Sequence, residues 1–358
     1  MVSAGTDLGQ QLPPVGIVDL YGLRKVSQRQ VLLAVNVKPG DDALHVLQTR
    51  DEILRRIRSI KGVDGAAIEV VCCSDADKKS IVFVGIRERG TSDLVFREAP
   101  KGDVRLPAEF VKAGEDFQRA FQNALGARDF TEDSSQGYSL MGFKQVRDVQ
   151  QRFITLASPN YQILRRVLRE SGEPWHRALA AMMIAYAADR QSVIDDLAFA
   201  MDDPDDTTRN NATRALILLA KYAQAHPDAK LRIPPLPFVR MLNSLSWTDR
   251  NKSAGALDTL TLARDPSLIA ELRRQALDSL AEMARWQNPG HALPSFNILA
   301  RVAGLSEDEI AKAWSSPDRE KQVQSLVQRI RRPAPARSAE TNMLQISPKT
   351  IATAENVF

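Results

Sequence analysis

The chain has 358 residues, 44% of them hydrophobic and 26% charged, with 48 Lys and Arg set against 44 Asp and Glu for a formal net charge of +4. That composition suits a globular chain of two or three domains, and the charge is too balanced to argue for nucleic acid. No apolar run approaches the ~18 residues of a membrane span, and the two cysteines, Cys72 and Cys73, are neighbours that allow no disulfide framework and no zinc motif.

Residues 1–14 read as a disordered lead-in. They have neither the basic nor the apolar region of a secretory leader, so the chain reads as cytoplasmic as written. "VGIVDLYGL" has the β-branched and aromatic content of a strand ended by Gly22. "VSQRQVLLAV" is a helix with Ser27 as its N-cap, and "HVLQTRDEILRRIRSI" an amphipathic helix with Val46, Leu47, Ile53, Leu54 and Ile57 inward. "AAIEVVCC" and "IVFVGIRERG", joined by the polar turn "SDADKKS", form a hairpin with the cysteines as strand filler.

The predicted order over residues 15–92 is therefore an α+β module, β-α-α-β-β. With "YGLRKVS", "KPGDDA", "RSIKGVDGAAIEV" and "VGIRERG" at their places, this stretch resembles a POTRA-type domain, the polypeptide-transport-associated module. The resemblance implies a protein-binding module that adds a strand at its sheet edge, outside the cytoplasm if a leader is missing. The alternative is an unrelated ferredoxin-like plug.

Residues 93–144 are expected to be a linker helix and a loop. "PAEFVKAGEDFQRAFQNALGA" starts with Pro107 and ends near Gly126, and "RDFTEDSSQGYSL" is a polar surface loop. Glu115 and Asp116 are adjacent and cannot face each other on a helix, so they are no catalytic pair.

The second half repeats. "RNNATRAL" from Arg209 and "RNKSAGAL" from Arg250 share Arg, Asn, Ala and Leu at the same places in the two segments. "RALAAMMI" from Arg177 fits the same frame upstream, and "RRQALDSL" from Arg273 fits it weakly downstream, as the partner helix of a repeat. Asp203-Pro204 and Asp265-Pro266 read as cap and first helical residue, with Asp205 and Asp206 facing the helix dipole. Helix pairs at the spacing of Arg177, Arg209 and Arg250 predict an all-α solenoid over residues 145–332, making the chain predominantly helical. On Asp203-Pro204-Asp205, Arg209, Ala212, Ala215 and Leu216 it resembles HEAT repeats, including the HEAT-like repeats of phycobilisome lyases, and the whole chain looks like bacterial HEAT-repeat proteins of unassigned function. Residues 333–358, rich in Pro, Ala, Ser and Thr, read as a disordered tail.

The chemistry is sparse. His45, His176, His226 and His291 lie in separate segments without a nucleophile, and neither HxxxH nor a phosphate-binding glycine loop occurs, so no catalytic residue, metal ligand or cofactor is assigned. The densest cluster is "WTDRNK". Trp247, Asp249, Arg250, Asn251 and Lys252, with Arg209, Asn210 and Asn211 of the preceding copy, are the candidate partner-binding residues. The first explanation of the same arginines and asparagines is a ladder tying repeat to repeat, with the partner surface second. The expected function is a non-enzymatic scaffold that binds a protein partner on the concave face of the solenoid. The alternative, a DNA-glycosylase-type HEAT-like enzyme, is disfavoured by few aromatics and no basic channel, and a phycobilin lyase by the missing nucleophile and aromatic cleft.

Overall fold

The computed structural model describes residues 12–74, 77–91, 94–127 and 129–332. Expectations for residues 1–11 and 333–358 lie outside the described residues.

Runs rich in β-branched and other apolar residues make β1 (Val15–Tyr21), β2 (Val63–Val71) and β3 (Ser80–Glu88), the last buried on both faces. The sheet order is β1-β3-β2, with β1 parallel and β2 antiparallel to the central β3. A parallel pair needs a crossover, which α1 (Gln28–Val35), α2 (Ala43–Gln48) and α3 (Arg50–Arg58) supply. Val31, Val35, Val46, Ile53 and Ile57 bury their side chains against the sheet face that carries Ile68, Val82, Val84 and Ile86. The expected second helix is two, because the chain breaks at Thr49, whose hydroxyl donates to the His45 carbonyl at 2.8 Å. Glu88 at the end of β3 accepts the backbone N–H groups of Arg24, Lys25 and Val26 at 2.7–2.8 Å, which pins the chain leaving β1.

Cys72 and Cys73 lie past the end of β2 and are bonded to each other. This corrects the expectation of two strand residues on opposite faces: outside the strand, alternation no longer separates them.

Past residues 94–106, the helices are α4 (Ala108–Ala127), α5 (Lys144–Ala157), α6 (Tyr161–Glu170), α7 (Pro174–Ile184), α8 (Arg190–Ala200), α9 (Asp206–Ala225), α10 (Leu236–Met241), α11 (Trp247–Leu260), α12 (Pro266–Gln275), α13 (Leu277–Met283), α14 (Pro289–Val302), α15 (Glu307–Trp314) and α16 (Arg319–Arg331). Between α4 and α5, the expected loop contains a short hairpin, β4 (Glu132–Asp133) with β5 (Leu140–Met141).

Helices pair as α6/α7, α8/α9 and α10/α11, and α7, α9, α11 and α14 pack side by side as one layer. The partners α6 and α8, and α10 and α12, meet in a second layer. Small residues permit the close approach: Ala180, Ala181, Ala212, Ala254 and Ala256 are buried. This two-layer helical repeat fills residues 161–302, and α4 packs on α5 through the same continuous core.

Several helix starts are capped by a side chain. Asp189, Asp205, Asp265, Asn288 and Asp318 each accept a first-turn backbone N–H, and Ser306 with Glu309 forms a reciprocal capping box. The start at Asp265-Pro266 is as expected. The start of α9 is shifted: Asp205 caps it and Asp206 begins it, while Asp203 is buried and taken by arginines.

Candidate functional site: an arginine ridge and the face beside it

Arg177, Arg209 and Arg250 each occupy the fourth position of their helix, in α7, α9 and α11. The frame read from the sequence therefore superimposes equivalent positions of successive repeats. All three are buried. Arg177 Nη1 donates to the carbonyls of Ser171 and Gly172 at 2.9 and 3.3 Å, and Arg209 Nη1 to those of Asp203 and Pro204 at 2.8 and 3.0 Å. Arg250 reaches Ser244 O through Nε at 2.6 Å. Each arginine thus satisfies carbonyls in the loop that enters its own helix.

The other side of each guanidinium holds an acid from the following repeat. Arg177 makes a two-point pair with Asp203, both bonds 2.9 Å, and Arg209 one with Asp249 at 3.0–3.2 Å. Arg250 reaches Glu282 more distantly, at 3.5 Å. Burial pushes the Asp249 carboxyl up, while the Arg209 guanidinium and the Ser244 hydroxyl, which donates at 2.7 Å, hold it down. Burial likewise pushes Arg250 down against the pull of Glu282. These pairs are desolvated and geometrically matched, so losing one partner strands a charge.

Residues 94–106 strap across this ridge. Arg97 pairs with Asp203, and the Phe96 ring lies 3.8 Å from the Arg209 guanidinium carbon. Arg240 donates to the Val95 carbonyl at 3.2 Å, and the Leu106 N–H donates to His176 Nδ1 at 3.2 Å.

The free face of the sheet sits on the same ridge, further along. Phe83 stacks on Trp247, centroids 4.8 Å apart and planes at 21°, and approaches Trp286 at 4.9 Å and His291 at 5.6 Å. The Tyr21 hydroxyl donates to Leu245 O at 2.8 Å, its ring 4.7 Å from the Arg250 guanidinium carbon. A Cβ at Gly85 would fall 2.6 Å from the Tyr21 ring, so glycine is required where that ring crosses β3. Asp19 accepts the Gln287 N–H at 2.9 Å, and Glu282 accepts the Gly22 N–H at 3.1 Å.

The eight candidates therefore divide. Trp247, Asp249, Arg250 and Arg209 are inside the folded chain, spent on holding repeats together and docking the sheet. They are no part of its surface, so the types on which a base-binding glycosylase reading drew are not presented to a ligand. Asn210, Asn211, Asn251 and Lys252, at the fifth and sixth positions of α9 and α11, keep partial exposure on the layer's open side. Asn211 Nδ2 crosses to the Ala178 carbonyl of α7 at 2.9 Å, and Asn251 Oδ1 meets His291 Nδ1 of α14 at 3.2 Å. Arg273 is exposed in α12 of the second layer and is no fourth member of the ridge.

The same open side carries Arg214, Ile217 and Gly255 and is partly covered by the β4–β5 hairpin. Tyr186 donates to the Ser139 carbonyl at 2.9 Å, and Gly137, at φ 77°, lets the turn pass close to Tyr222. The acidic partner Asp203, the docking residues Tyr21 and Phe83 and the strap residue Phe96 escaped sequence reasoning. Their offsets from the arginines follow no fixed period. Among the described residues no group of three or more His, Cys, Asp and Glu is placed to hold a metal ion, and no helix is long and apolar enough to cross a membrane.

No known protein family matches the chain, and no curated protein does. Among solved structures, the chain is similar to a designed armadillo repeat protein at 16% identity, over 55% of this chain and 98% of that one, with a TM-score of 0.34. That likeness is too weak to build on, and the helical-repeat architecture rests on the layering and the repeated arginine position described above.

Proposed function

We propose that the chain is a protein-binding scaffold of HEAT-like type, using the open side of the α7/α9/α11/α14 layer. The supporting observation is the division of labour in its repeats. The fourth helical position is buried and structural, while Asn210, Asn211, Asn251 and Lys252, next in sequence, stay partly exposed around Ile217 and Gly255. Amide and small apolar residues on a rigid helical platform suit recognition of another polypeptide. The POTRA-like reading of residues 15–92 gives the module a second contact, because among the described residues the outer edges of β1 and β2 have no strand partner.

Site-specific photocross-linking tests the reading. A benzoylphenylalanine at position 210 or 255 is expected to capture one discrete protein from a lysate of the cells that carry the chain, and at the exposed position 274 to capture none. Equal capture from all three positions, or none from 210 and 255, contradicts it.

A further inference from the structure

Resting on that reading, we infer that the partner presents an acidic segment, and that Lys252 and Arg214 anchor its carboxylates. Lys252 occupies the sixth position of α11, where α9 carries Asn211. Asn211 is satisfied by the Ala178 carbonyl, but Lys252 has no hydrogen-bond or ion-pair partner among the described residues. Lys252 is partly buried and lies one turn before Gly255, just as Arg214 lies one turn before Ile217. Gly255 faces the Ile217 side chain across α11 and α9, which sets Lys252 next to Arg214. Burial pushes the Lys252 ammonium down to about 8, Arg214 adds to the shift, and Glu132 opposes it. An unpaired, half-desolvated cation is a strained arrangement that an incoming carboxylate relieves.

The charges around it point the same way. Arg214 pairs with Glu132 at 2.5 Å and keeps 46% of its side chain exposed. Lys221 follows two turns along α9 and is exposed. The carboxylate that pairs Arg214 is supplied by the hairpin, and the Ser139 hydroxyl also contacts it. Glu132 already occupies this patch as an internal carboxylate, leaving Lys252 for an external one. An acidic peptide both pairs Lys252 and competes with Glu132 for Arg214.

The probe is a fluorescein-labelled peptide of alternating Glu and Ser, titrated with the full chain at low salt and read by anisotropy. Binding is expected, weakened by about tenfold or more in Lys252→Met and in Arg214→Gln, retained in Lys252→Arg, tightened a few-fold in Glu132→Gln, and lost as salt is raised. Lys252→Met keeps the aliphatic stem, so its thermal midpoint should not fall, which separates lost binding from lost folding. Absence of binding, equal binding of an all-Ser peptide, parental affinity in Lys252→Met, or preference for single-stranded DNA over the peptide each overturns the inference. The cross-linking at positions 210 and 255 stands independently of these outcomes, so acidic selectivity can fail while the scaffold reading survives.

Discussion

Arg177 and Asp203 form a buried two-point ion pair, and the main-chain carbonyl of the same Asp203 accepts Arg209 from the next repeat. One residue therefore links two successive arginines, and Arg97 of the strap joins them on its carboxylate. The ridge is continuous from α7 to α11 because the loops entering α9 and α11 are each held by their own arginine and carry, or are followed by, the acid for the previous one.

Asp203→Asn should be among the most damaging single changes in the chain. It removes the charge facing a guanidinium that is 1% exposed, and breaking such a pair costs about 3–5 kcal/mol. Urea unfolding measures it. The triple variant Arg97→Met, Arg177→Met and Asp203→Leu, which removes the acid and both guanidiniums on it, is expected to recover most of the loss; no recovery would mean that packing, and not the stranded charge, sets the cost.

Trp247 and Phe83 should be energetically coupled. Trp247→Ala empties the space between sheet and helices and is expected to cost about 3–5 kcal/mol. Trp247→Phe keeps an aromatic ring there and removes an indole N–H that has no partner, so it should cost far less. In a double-mutant cycle with Phe83→Leu, the stacked pair should show about 0.5–1.5 kcal/mol of coupling. A coupling of zero would place the sheet off the helices in solution.

His176 gives a pH dependence with a definite sign. Its Nδ1 accepts the Leu106 N–H, so the ring is neutral in the fold, and burial followed by Arg105 holds its pKa below the usual 6.5. The unfolded chain then binds the proton more readily. Stability is full above about pH 6.5 and falls as the pH drops through that value toward the lower folded pKa. Urea midpoints between pH 8 and pH 5 should show the decline in the parent and a shallower one in His176→Gln.

The sequence was most legible where structure is local or periodic. The three strands and the helical stretch between the first two over residues 15–88 followed from β-branched content and amphipathic spacing, though not the division of the second helix at Thr49. The arginine frame followed from the internal repetition of Arg177, Arg209 and Arg250. What escaped was contact between distant elements. Nothing local marks Phe83 and Tyr21 as the face that meets α11 and α14, and Asp203 looked like a helix cap because caps and ion-pair acids are the same residue type in the same loops. The split among the candidates was hidden for a related reason. Adjacent positions four, five and six of a helix point in different directions, so "DRNK" contains a buried pair and a partly exposed pair side by side.

Trp247–Lys252 thus begins as an internal clamp joining the sheet to the helical repeat and only then becomes surface. Hydrogen exchange by mass spectrometry decides whether the clamp exists, comparing β3 with the first turns of α11 in the parent and in Trp247→Ala. Matched protection of the two segments is expected in the parent, with protection lost in both in the variant. Protection of β3 that is unchanged while α11 alone opens would contradict the clamp.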